Sequence, residues 1–240
     1  MNTRQKLDDD EAASEFINEN LHLPEIREMA LDRAISAGDH ARAEQLCLGG
    51  LTEQDPRYRY REPKWRHRLF SVHEMTGNIP KMTQTARELL LDGDLDYFDI
   101  YKGLLEKQDA WNREAYAELL DAARTSMYDS SYMRLLSQEK EYALLMEQLQ
   151  LHEYGIYEYA QELVGQYRSE VADVFTRQIT KEAERVNKRS AYRHVCESIQ
   201  KFAKAGCPEE AKGLIDELLL EYAIRPAFVD ELRQARQRLK

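Results

Sequence analysis

WRHRLFSVHEMTGNIPKMTQTARELLLDGDL, residues 65–95, reads as a helix, a tight turn and a second helix. Trp65, Leu69, Phe70 and Val72 recur at near-helical intervals, which gathers apolar side chains on one face. Gly77–Asn78 interrupts the pattern, Met82, Ala86, Leu89 and Leu90 resume it, and Gly93 closes it. The unit decides the fold class because it recurs along the chain.

Working outward, turns of the same kind fall at Gly38, Gly77, Gln108, Lys140, Tyr167 and Gly206, with steps of 39, 31, 32, 27 and 39 residues. The mean step of about 34 residues is the length of one helix–turn–helix repeat. The spacing predicts an all-α fold, an α-solenoid of irregular TPR-like or HEAT-like hairpins with about 12–14 helices. Before Gly38 the stripe is Ile26, Met29, Ala30, Ala34 and Ile35; Gly38 ends that helix and Asp39 caps the next. Later hairpins carry Tyr97, Ile100, Tyr101, Leu104 and Leu105 before Gln108, and Met133, Leu135 and Leu136 before Lys140. Ala43, Ala172 and Ala211 each lie five places after a turn, where a small residue lets two helices approach closely. A long helix is expected from Glu170 to Asn187, and Pro226 starts a terminal helix whose polar end closes the array against water.

The 240 residues are read as a single helical-repeat domain: N-terminal helices over 1–51, an irregular connector over 52–63, and the main array over 64–240. Leu occurs 29 times and Val 7 times, and both Gly (10) and Pro (6) are scarce, a composition that favours helix over strand. The formal net charge of −10 opposes generic duplex binding, because the phosphate backbone is repelled. Cys47, Cys196 and Cys207 form no CxxC or CxC pair and read as reduced thiols. Residues 1–16 contain no apolar signal core, and no apolar run approaches the ~20 residues that span a bilayer. A cytoplasmic protein without a membrane partner is the expectation.

Three segments carry a family resemblance: FINENLHLPEIREMALDRAI (16–35), the opening stretch (65–95), and VCESIQKFAKAGCPEEAKGLIDELLLEYAIRPAFVDELR (195–233). Together they resemble the C-terminal helical region of bacterial SWIM zinc-finger proteins. The resemblance implies a helical array that supports or recruits partners, and no enzyme. In that family a zinc module of CxC…CxH type lies upstream and contacts nucleic acid or protein. No such motif occurs here, so no zinc ligand carries over. Two arrangements fit: the support region of a longer zinc-binding protein, or a stand-alone relative.

The sharpest local feature is the basic–aromatic run Arg57, Tyr58, Arg59, Tyr60, Arg61, Glu62, Pro63, Lys64, Trp65, Arg66, His67, Arg68. Arginine and lysine neutralise phosphates, and tyrosine stacks on unpaired bases. Arg57, Tyr58, Arg59, Tyr60, Arg61, Lys64, Arg66 and Arg68 are therefore the candidate partner- or anion-binding residues. The competing reading makes Trp65 a core residue and pairs the cations with acidic neighbours. His67 and His73 lie six apart, not the three or four that put two ligands on one helical face. Asp92-Gly93-Asp94-Leu95-Asp96 superficially resembles a calcium loop, but Lys102 and Gly103 stand where the closing Glu would be needed. No phosphate loop, HExxH or GxSxG is present. The sequence thus points to no catalytic residue, metal or cofactor. The expected function is a non-catalytic protein–protein interaction scaffold, with an accessory nucleic-acid-binding module as the alternative.

Overall fold

The computed structural model describes residues 15–52 and 64–239. Among these the chain is all-α, with no strand. It divides into two compact units, Met1–Met127 and Tyr128–Lys240.

The first unit contains α1 (15–19), α2 (Pro24–Ser36), α3 (His40–Thr52), α4 (Lys64–Met75), α5 (Ile79–Leu91), α6 (Tyr97–Glu106) and α7 (Arg113–Ser126). From α2 to α6 each helix packs on its successor, and α5 also meets α7. Ala30, Leu31, Ala34, Ala43, Leu46, Cys47, Trp65, Leu69 and Val72 form one core cluster, with Ile17 and Leu21 against its margin. The buried face of α2 is Arg27, Ala30, Leu31 and Ala34. Met29, expected in that stripe, is 59% exposed, because the face is rotated toward Leu31.

The second unit contains α8 (Asp129–Gln138), α9 (Tyr142–Leu151), α10 (Ile156–Arg185), α11 (Arg189–Lys204), α12 (Pro208–Glu221) and α13 (Pro226–Arg238). Consecutive helices pack, and α10 also meets α12 while α11 meets α13. That neighbour-plus-next pattern is what stacked hairpins produce. Aromatic pairs join the layers: Phe175 stacks on Phe202 at 4.7 Å and Tyr192 on Phe228 at 4.5 Å. All three phenylalanines are fully buried, each contributing about 2–3 kcal/mol of apolar burial.

Five of the turns share one physical device, and at the sixth Gly206 also has a positive φ. A residue in the left-handed region ends the helix, and the next N–H bonds back to the carbonyl five residues earlier. The bonds are Asp39 to Ala34 (2.9 Å), Asn78 to His73 (3.1 Å), Asp94 to Leu89 (3.2 Å), Ala110 to Leu105 (2.9 Å) and Glu141 to Leu136 (2.8 Å). The left-handed residues are Gly38, Gly77, Gly93, Asp109, Lys140 and Gly206. The turn expected at Gln108 is thus centred one residue later, at Asp109, a residue type that tolerates this conformation. Lys140 has φ +59° and no comparable local aid. Asp39 and Asn78 cap the following helices, their side chains accepting from the N–H of Arg42 (3.0 Å) and Lys81 (3.2 Å).

Tyr167 departs from expectation in form. It parts two helical limbs as expected, but by a kink and not by a loop, with non-helical φ −124° and ψ 39° inside the thirty residues of α10. The helix expected from Glu170 is the limb that follows the kink, and it ends at Arg185 instead of Asn187. Before the kink α10 buries Ile156, Tyr159, Ala160 and Leu163; after it, Val171, Val174, Phe175, Ile179 and Ala183. Ala43 and Ala211 are fully buried, as close packing requires, whereas Ala172 is only half-buried beside Val171. Of the expected connector over 52–63, Thr52 ends α3 and the remainder lies outside the described residues.

Candidate functional site

Arg57, Tyr58, Arg59, Tyr60 and Arg61 lie outside the described residues. The rest of the basic–aromatic run opens α4. Trp65 turns inward, 7% exposed, against Gly50 of α3 and beneath the Arg27 guanidinium, 5.8 Å from its ring centroid. The cations on the other faces each meet a carboxylate. Lys64 pairs with Glu28 and Arg68 with Asp32, both on α2. Arg66 donates to Glu88 on α5 at 3.2 Å and pairs with Asp92 just beyond it. His67 lies 3.1 Å from the Tyr97 hydroxyl and 3.4 Å from Asp94. Lys64, Arg66 and Arg68 thus tie α4 to its neighbours, and their charge is met locally.

Deeper in the same unit, α3, α4 and α5 meet at Glu44, His73, Lys81 and Thr85. Lys81 donates to both Glu44 oxygens, at 2.6 and 2.8 Å, which holds that carboxyl below its usual range against the opposing effect of burial. His73 is buried, with Nδ1 3.1 Å from Thr85 Oγ1 and Nε2 3.5 Å from Glu44 Oε1. Hydroxyl, imidazole and carboxylate in line have the order of a nucleophile, base and orienter. The surroundings argue otherwise: Thr85 is 3% exposed, and its hydroxyl donates to the Lys81 carbonyl at 2.9 Å. A buried hydroxyl with a committed proton presents nothing to a substrate, so the group acts as a three-helix latch.

The second unit has a parallel latch. Glu182 accepts from the Tyr157 hydroxyl (2.9 Å), Ser198 Oγ (2.9 Å) and Gln178 (3.3 Å), which ties both limbs of kinked α10 to α11. Burial pushes the Tyr157 phenol well up, and the Lys201 ammonium sits 5.2 Å from its ring centroid. Glu153, on the short turn before α10, accepts from Arg177 (2.9 Å) and Lys181 (2.6 Å), and those bonds hold its carboxyl low. Glu231, buried on α13, is held low in the same way by Arg189 and Arg193 of α11. Sequence periodicity did not point to any of these carboxylates, because a buried acid and a solvated one read alike until the partner helix is known.

All three cysteines are buried and free. Burial raises the Cys47 thiol to about 11 and the Cys196 thiol to about 12, so neither is poised as a nucleophile. Gly93 makes the Asp92–Asp96 stretch a helix-ending turn in which Asp92 and Asp94 face Arg66 and His67. One open cleft, about 200 Å³, lies between Ile17, Ala34, Asp39 and Arg42, below the ~300 Å³ at which small-molecule sites begin. Among the described residues no His, Cys, Asp or Glu cluster could hold a metal ion, and no helix is long and apolar enough to cross a membrane. Comparison with family models, curated proteins and solved structures finds no match to this chain.

Proposed function

We propose that this chain is a non-catalytic protein–protein interaction scaffold. The observation that carries the reading is the fate of its reactive groups. Each of the two hydroxyl–carboxylate constellations, at Thr85–His73–Glu44 and at Tyr157–Ser198–Glu182, bridges packed helices, and Thr85, His73 and Ser198 within them are buried. The cysteines are buried in the same way. Stacked hairpins leave helix faces that vary independently of the core, which suits recognition of a partner helix, peptide or domain. The resemblance to SWIM zinc-finger proteins adds a more specific form, in which this chain is the support region of such a protein. A reading frame that continues upstream into a CxC…CxH segment supports that form, and a stop codon immediately upstream counts against it.

In-cell cross-linking followed by mass spectrometry tests the scaffold. A reproducible, saturable partner is the expected result; a chain that stays monomeric and uncross-linked at native abundance refutes it. The nucleic-acid alternative rests on the run from Arg57 to Arg68, whose described cations already face carboxylates. It predicts salt-dependent binding to single strands at ~50 mM salt, lost on charge reversal of Arg57, Arg59 and Arg61.

A further inference from the structure

We infer that the surface carrying Lys188, Arg189, Arg193 and Arg225 docks a carboxylate-rich segment of a partner protein. The inference rests on the scaffold reading and names the chemistry of the partner. Residues 185–193, RVNKRSAYR, hold four cations and no acid within a chain of net charge −10. The fold adds a fifth: Arg225, just before α13, donates to the Val186 carbonyl at 3.0 Å and lies 4.6 Å from the Tyr222 ring centroid.

Arg189 and Arg193 stand one turn apart on α11. Both donate through Nε to the same oxygen, Oε1 of Glu231, at 2.8 and 3.3 Å. Glu231 is buried, while the two arginine side chains are 53% and 62% exposed. One anchored carboxylate therefore aims two guanidinium groups at solvent and balances only one of them. Other acids lie in the vicinity: Asp230 on α13 near Arg189, Glu184 on α10 and Glu221 on α12 near Tyr222 and Arg225, and Glu197 one turn beyond Arg193 on α11; Glu231 is the acid that the two arginines share. The cations also collect where helices begin. Lys188 precedes α11 and Arg225 precedes α13, and neither helix has an acid in its first turn. The positive end of a helix disfavours cations, so the arrangement opposes stability and suits an anionic occupant.

Carboxylates fit better than a nucleic acid strand. Exposed guanidinium forks match carboxylates and phosphates alike, two bonds at a time, so the choice between them falls to the aromatic surroundings. The aromatic rings nearby, Tyr192, Tyr222 and Phe228, are buried against one another, so none offers a face on which a base could stack.

The test is fluorescence anisotropy of the full chain with a fluorescein-labelled, glutamate-rich peptide, at ~50 mM and ~300 mM salt. The peptide is expected to bind at low salt and weaken as salt rises. Arg189→Gln with Arg193→Gln should weaken it at least about tenfold. Because that pair of substitutions strips the partners from Glu231, Lys188→Glu provides a second variant outside the ion pair, expected to weaken binding about threefold or more. No binding by the native chain, or binding unchanged in both variants, overturns the inference. So does tighter binding of oligothymidylate through the same residues. In-cell cross-linking of native and Lys188→Glu chains separates the two levels. Partners kept in full by the variant overturn this surface and leave the scaffold standing, whereas a native chain that cross-links to nothing overturns both.

Discussion

Gly50→Ala should destabilise the first unit, although alanine is the better helix former. Gly50 lies inside α3, and a methyl group built there comes within 2.6 Å of Cγ and Cε2 of the Trp65 indole. Ordinary carbon contacts are ~3.5–4.0 Å, so about 1 Å of separation between α3 and α4 has to be found. The indole is buried, and Arg27 lies over its ring, so it has little room to retreat. Overpacking of this kind costs about 1–3 kcal/mol, against a gain of about 1 kcal/mol in helix propensity. The net expectation is a loss of up to about 2 kcal/mol. Gly213→Ala in α12 is the matched control: the site is exposed, nothing lies within 4 Å of the new methyl, and a gain of about 1 kcal/mol is expected. Urea unfolding followed by far-ultraviolet circular dichroism reads both as midpoint shifts of opposite sign. Trp65→Leu should remove most of the penalty of Gly50→Ala, giving a coupling of at least ~1 kcal/mol in a double-mutant cycle. A stabilised Gly50→Ala chain, or a cycle with no coupling, would refute the claim that α3 and α4 meet through this glycine and the indole.

Three further outcomes follow from the same structure. Lys140→Gly should stabilise the second unit by about 0.5–1 kcal/mol in the same assay, because relief of the left-handed cost of ~1–2 kcal/mol exceeds the added chain entropy; an unchanged or lower midpoint refutes it. Glu44→Gln should cost about 1 kcal/mol at neutral pH. Glu44 has a depressed folded-state pKa, so its contribution is full above its ordinary value of 4.5 and fades as pH falls through the lower, folded one. Urea midpoints of native and variant chains should therefore converge in acid, and a difference that grows there contradicts the Lys81–Glu44 assignment. Finally, dithionitrobenzoate at mildly alkaline pH should label none of the three buried thiols quickly in the folded chain and all three in urea. Immediate labelling of one native thiol would show that its site opens.

What was legible in the sequence depended on how local each signal was. Gly38, Gly77 and Gly206 announced their turns because a left-handed residue without a side chain is cheapest there. Lys140 was found by spacing alone, despite a residue type that resists the conformation. Tyr167 was placed correctly as a break between two helical segments, and the structure makes that break a kink instead of a loop. No glycine or cap follows it, and the backbone absorbs the phase change as a kink within α10. The inward polar residues were invisible for a different reason. Arg27, His73, Thr85, Ser198 and Glu231 count as solvated in any periodicity, because their burial depends on partners far away in sequence: His73 needs Glu44 and Thr85, Ser198 needs Glu182, and Glu231 needs Arg189 and Arg193. The same non-locality redirects attention from the conspicuous basic run to a quieter one. At Lys64, Arg66 and Arg68 each cation is met by a carboxylate from a neighbouring helix. At Arg189 and Arg193 two cations share a single buried acid and remain exposed. A count of charges ranks the first run higher. Among the described residues, however, the more exposed arginines are those of the second run, and they are what an incoming anion would meet.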